Sequence, residues 1–235
     1  MTVLPSLNSL PWLRGANRFW LVISILSALA FWICSAFPPF AGRFILKASP
    51  ILALALIVWN RRQSKQETLL FAGIAFHGLG DILLDIDRVG LFLPALVTFL
   101  CGHIFYILTF KPEVSFSRLL SNIKKFLIGA ILLFAAGLGT ILLPKLENHL
   151  VVPVFIYMTA IGTMTIFTVL ANYRTAWICL GAISYMLSDA MIAINTFVHP
   201  FAASAFLIWP LYYLGQVLIA TGFLSEKQQA QISAL

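Results

Sequence analysis

Four ionisable residues stand inside otherwise apolar runs of this sequence: Lys47, Asp81, His103 and Asp189. A charge at membrane depth costs on the order of a few kcal/mol unless it is hydrated or paired, so each is a functional candidate by position alone. Two carboxylates facing one cavity are suited to acid–base chemistry in which burial or the neighbour's charge keeps one protonated while the other stays ionised. Such a pair serves reactions through an oxocarbenium-like state: one acid donates a proton, and the other group orients water or steadies the cation. Lys47 is suited either to hold one carboxylate charged or to receive a phosphate. The competing structural reading is a buried charge network that fixes helix register. Asp85 and Asp87 fall nearer a helix end, where solvation is expected to account for both. His77, Asp81 and Asp85 share one helix face. A metal site would draw on His77, Asp81 and His103, but His149 and His199 fall in predicted outer loops and no other intramembrane His or Cys completes a set. Neither a metal nor another cofactor is expected.

The elements that must position these groups are membrane helices. The chain has 235 residues, 61% hydrophobic and 10% charged, whereas soluble domains are about half apolar and about a quarter charged. Lipid must therefore act as solvent for most of the surface. A spanning helix needs about 20 mostly apolar residues, and eight stretches qualify, near 19–37, 44–59, 68–86, 89–110, 124–143, 150–172, 175–197 and 201–224. The expected fold is an all-α polytopic bundle: a cytoplasmic segment 1–18, one transmembrane domain 19–224, and a cytoplasmic tail 225–235. On these spans Asp81, Asp189 and Lys47 fall in one layer near the outer end, close enough to meet. The motif around Gly80-Asp81 echoes the one around Ser188-Asp189 four helices later, an indication of a weak four-plus-four repeat.

The formal net charge of +7 is a topology signal rather than a nucleic-acid footprint, because the basic residues sit in short clusters between apolar runs. One side of an eight-span chain carries Arg14, Arg18, Arg61, Arg62, Lys65, Lys111, Arg118, Lys124, Lys125, Arg174 and Lys227; the other carries Arg43, Arg88 and Lys145. That bias puts both termini in the cytoplasm of a multi-pass protein of the cell membrane, the inner membrane if the source is bacterial. Cys34, Cys101 and Cys179 lie in apolar runs and imply no disulfide framework. No removable signal peptide is expected at the start of the chain. Tyr106 follows His103 by three residues, and Tyr212, Tyr213 and Gln216 fall together in the eighth span. Of the aromatic and amide residues, Tyr157, Tyr213 and Gln216 are placed deep enough to prefer a cavity over an interfacial belt.

An ordered set of short motifs runs from about residue 44 to 224: Lys47-Ala48-Ser49-Pro50, Gly80-Asp81, Gly102-His103 with Tyr106, Tyr157, Gly181 with Ser188-Asp189 and Asn195, and Tyr213 with Gln216-Val217-Leu218-Ile219-Ala220. In this order the sequence resembles the YhhN-like family of multispanning membrane proteins, whose characterised members are lysoplasmalogenases. The family usually has a proline directly or almost directly after the lysine, whereas here Pro50 comes three later, and His77 falls outside the family pattern. The resemblance implies hydrolysis of the vinyl ether bond of a lysoplasmalogen, a lysophospholipid drawn from the surrounding membrane lipids, to a fatty aldehyde and glycerophosphoethanolamine or glycerophosphocholine. It also implies Asp81 and Asp189 as catalytic groups, with Lys47, His103, Tyr157, Asn195, Tyr213 and Gln216 as substrate-binding residues. Two other functions compete. Gly78-Leu79-Gly80-Asp81 matches the Gly-x-Gly-Asp signature of intramembrane aspartyl proteases, but those place the second aspartate on the preceding helix and Asp189 follows by four helices. A lipid or small-molecule transporter shares the buried charges, yet a clear inverted pair of Gly/Pro-broken segments is lacking.

Overall fold

A computed structural model of the protein describes residues 11–115 and 121–233. Arg118, the first ten residues of the expected N-terminal segment and the last two of the tail lie outside them. Among the described residues the chain forms eight long α-helices and no strand: α1 (Ala16–Cys34), α2 (Arg43–Arg61), α3 (Lys65–Ile86), α4 (Phe92–Phe110), α5 (Asn122–Leu142), α6 (Asn148–Leu170), α7 (Trp177–Ala193) and α8 (Ser204–Ile232). With α7 continued through a π-helical turn at Ile194–Val198, all eight are long and apolar enough to cross a membrane. The first helix starts three residues earlier than expected. The eighth runs on to Ile232, so most of the expected tail is helical.

Successive helices pack antiparallel, and the side-chain ties separate two ends of the bundle. At one end Lys227 pairs with Glu113 at 2.9 Å and Glu226 accepts from the backbone of Thr175 at 2.9 Å. At the other, Arg43 pairs with Asp85, and Trp32 donates to the Phe206 carbonyl at 3.1 Å. The latter bond has a local cause. Pro210 inside α8 has no N–H to offer the carbonyl four residues back, and the Trp32 indole satisfies it instead. Pro50 does the same in α2, where the freed Leu46 carbonyl accepts from Ser49 Oγ at 3.0 Å. At the opposite end Ser64 and Glu67 form a reciprocal capping box that starts α3 after the α2 turn.

The α7–α8 contact depends on glycine. A Cβ on Gly181 would come within 2.9 Å of the Gly215 carbonyl, and one on Gly215 would meet the Gly181 carbonyl at 2.9 Å. Small residues let the two backbones approach, and dispersion replaces the hydrophobic drive that lipid does not supply. Ser184 and Ser188 reinforce the seam by donating to the Leu211 and Ile208 carbonyls, each at 2.8 Å. These bonds fix the rotation of α7 and with it the direction in which Asp189, next to Ser188, can point. By contrast, α5 is the least buried of the eight spans, and it packs chiefly on α6.

Candidate active site

The bundle encloses a cavity of about 700 Å³ that reaches from the Arg43 end toward the membrane centre. Lys47, Asp81, Tyr157, Asp189 and Asn195 line it. Asp81 sits at the depth of Lys47 because α2 and α3 are antiparallel and carry charges at matching i, i+4 spacing. Lys47 Nζ is 3.2 Å from Asp81 Oδ1, and Arg43 pairs with Asp85 one turn further out. The other Asp81 oxygen accepts from the Tyr212 hydroxyl at 2.7 Å. Asp81 therefore has a counter-charge on one oxygen and a phenol donor on the other. Asp189 is furnished differently. Tyr157 donates to its Oδ2, and the His103 ring nitrogen lies 3.8 Å from the same oxygen and 3.0 Å from the Tyr157 hydroxyl.

Three residues expected at the substrate lie elsewhere. His103 is fully buried behind Tyr157, off the cavity wall. Tyr213 turns away toward α1, its hydroxyl 2.8 Å from Ser24 Oγ. Gln216 lies in the core, where its Oε1 accepts from Tyr106 at 2.5 Å and its amide nitrogen is 3.0 Å from His77 Nδ1. Because the amide oxygen is engaged by a donor, the amide nitrogen donates to His77 and selects the tautomer protonated at the other ring nitrogen. His77, left without a role in the sequence, thus belongs to a buried layer that supports the wall. Its ring is 4.8 Å from that of His103. Asn195, on the π turn, lines the cavity while its Oδ1 accepts from the Phe201 backbone at 3.2 Å.

The structure adds residues to the site. Tyr212 rather than its neighbour Tyr213 meets a carboxylate. The spacing Trp209, Tyr212, Gln216 marks one helical face, and that period was the available signal. Asp85 corrects an expectation: its side chain is only 6% exposed and meets Arg43 through two bonds, Nη2 to Oδ1 at 2.7 Å and Nε to Oδ2 at 3.1 Å. Solvation does not account for it. Asp87 does sit at the exposed helix end, where its Oδ1 accepts from the Val89 and Gly90 amides. Removing one partner of a buried pair leaves an uncompensated charge. Asp85→Leu should therefore lower the thermal melting point in detergent clearly, with Arg43→Met/Asp85→Leu recovering most of the loss. Equal melting of the single variant and the parent would show the pair to be inert.

The polarity of the wall changes with depth. Outward of the two aspartates it carries Arg43, Asp85, Asp87, Arg88 and Asn195 among apolar side chains such as Phe37, Phe92 and Phe197; inward, around Met158, Ile161, Gly162 and Met186, it carries no charge. A single-chain amphiphile with a charged head fits that gradient, head outward. Among the described residues no group of three or more His, Cys, Asp or Glu side chains is placed to hold a metal ion.

The YhhN family model matches residues 42–223. A lysoplasmalogenase of Mycobacterium bovis is 29% identical over 184 residues, covering 77% of this chain and 70% of that protein. Human lysoplasmalogenase TMEM86A is 27% identical over 215 residues, 85% of each chain, and rat lysoplasmalogenase TMEM86B is 26% identical over 218 residues, 91% of this chain and 88% of that one. No solved structure matches.

Proposed function

The chain belongs to the YhhN family, and from that premise we propose that it is a membrane-embedded lysoplasmalogenase, an ether hydrolase that releases a fatty aldehyde from the vinyl ether of a lysophospholipid. The observation that carries this reading is the pair of unequally furnished carboxylates, Asp81 and Asp189, on the wall of one cavity that is charged outward and apolar inward. The relatives named above as lysoplasmalogenases support it.

The chemistry follows from the substrate. A vinyl ether is hydrolysed by protonation of its outer alkene carbon, which leaves an oxocarbenium ion at the carbon bonded to oxygen. Asp189, without a lysine beside it, is the proton donor. Asp81, paired with Lys47 and accepting from Tyr212, takes a proton from the water that attacks the cation. The resulting hemiacetal collapses when the Asp189 carboxylate removes its hydroxyl proton and Asp81 returns a proton to the departing glycerol oxygen. One water is consumed, the C–O bond to the former vinyl carbon breaks, and both aspartates return to their starting states. The test is to incubate purified protein with a lysoplasmalogen and with its saturated alkyl-ether analogue and to measure aldehyde. Release from the vinyl ether alone is expected, since only that compound has an alkene to protonate; release from neither would sink the reading.

The mouth of the cavity lies at the end of the bundle bearing Arg43, Arg88 and Lys145, the side poor in basic residues. By the charge bias this end faces away from the cytoplasm, and the two termini face it. Val89, 88% exposed in the turn between α3 and α4, should as Val89→Cys react with a membrane-impermeant maleimide in intact cells, whereas Lys111→Cys at the other end should react only after lysis. The reverse pattern would invert the topology.

A further inference from the structure

We propose that Gly162 on α6 sets the length of the alkyl chain that the cavity accepts, because its missing side chain leaves open the apolar end of the cavity beyond the two aspartates. The inference rests on the reading of the substrate as a single-chain lipid. Gly162 is buried and lines the cavity, yet a Cβ built on it would meet no atom within 4 Å. Other buried glycines here are filled by a neighbour: Gly181 faces the α8 backbone, and Gly102 faces the His77 ring. The vacancy at Gly162 is therefore the cavity itself rather than a helix contact.

Its place along α6 fits a chain subsite. Val154, Tyr157, Met158, Ile161 and Gly162 recur at helical spacing along the cavity wall. Tyr157 holds Asp189, so Gly162 lies five residues, about 7.5 Å, further from the Arg43 end of the cavity. Around it stand Phe134 of α5, Met158 and Ile161 of α6, and Met186 of α7, all apolar. With the reacting bond at the aspartates and the head group toward Arg43 and Arg88, the chain has this end of the cavity to occupy. A leucine at 162 would project into the space that the distal carbons need. An apolar pocket discriminates by about 10- to 200-fold per methylene misfit, so the substitution should act on chain length and not on the chemistry.

The experiment compares the parent protein, Gly162→Leu, Gly162→Ala and Gly129→Leu. Gly129 also has open space around it but lies on the exposed face of α5, off the cavity. Two readouts are taken in detergent: kcat/KM for vinyl-ether lysolipids with ten- and eighteen-carbon chains (lengths on the order of a membrane leaflet's reach), and displacement of a fluorescent lysolipid by their saturated alkyl-ether analogues. Gly162→Leu should lower the long-to-short ratio by at least about tenfold in both readouts, Gly162→Ala should lower it less, and Gly129→Leu should leave it unchanged. An unchanged ratio in a folded Gly162→Leu or Gly162→Ala protein overturns the chain subsite. If no variant nor the parent cleaves the vinyl ether but the displacement ratio still shifts, the hydrolase reading fails and the chain subsite stands.

Discussion

Asp81→Asn and Asp189→Asn should each lower turnover of a lysoplasmalogen by about 10²- to 10⁴-fold, the range typical of a lost general acid or base. Asparagine keeps the size and much of the hydrogen bonding of each site, so Tyr212 and Tyr157 retain an acceptor and the fold should survive. The loss should appear in kcat, with binding of the saturated alkyl-ether analogue changed little, because the proton is moved only in the transition state. Groups that act as one unit are grossly non-additive, and the double variant should therefore be hardly worse than the worse single one. Aldehyde release under saturating substrate, with a melting curve to certify the fold, decides the matter. Near-full turnover by either folded variant would return both aspartates to the role of a buried charge network.

The bundle was legible in the sequence because length and hydropathy alone mark a spanning helix: eight runs near the observed positions follow from the thickness of the bilayer. The shared depth of Lys47 and Asp81 was also legible, since a rise of 1.5 Å per residue turns sequence position into height, and their contact at 3.2 Å agrees with it. Rotation about each helix axis was harder to read. Tyr212 and Tyr213 stand at the same height about 100° apart, and only the α7–α8 seam through Gly181 and Gly215, with Ser184 and Ser188 bonded across it, decides which of them faces Asp81. Asp85 shows the same difficulty. Its closeness to a helix end suggested water, but its azimuth on α3 matches that of Arg43 on α2, and a bidentate pair results. His103 and Gln216 were legible as deep polar residues; that they support the wall from behind rather than line it depends on Tyr157 and Tyr106 standing between helices.

Lys47→Met should cost roughly two orders of magnitude in turnover, a loss next in size to those at the aspartates. The substitution keeps the length of the apolar stem and removes the charge that stands 3.2 Å from Asp81, a position where the low dielectric magnifies its effect on the carboxylate. The Tyr212 donor alone would then have to keep Asp81 fit to accept a proton from water. A hydrogen bond to a charged group contributes about 1.5–3 kcal/mol, which is about ten- to a hundredfold in rate, so Tyr212→Phe should lose within that range. Tyr213→Phe is the internal control: its hydroxyl meets Ser24 and not the cavity, and turnover should stay within about threefold of the parent, as for other substitutions remote from the reacting atoms. Lys47→Met/Tyr212→Phe should lose less than the product of the single effects, because both act through the same carboxylate. If Tyr213→Phe costs more than Tyr212→Phe, or if Lys47→Met turns over like the parent, Asp81 is not the group that lysine and phenol jointly hold for catalysis.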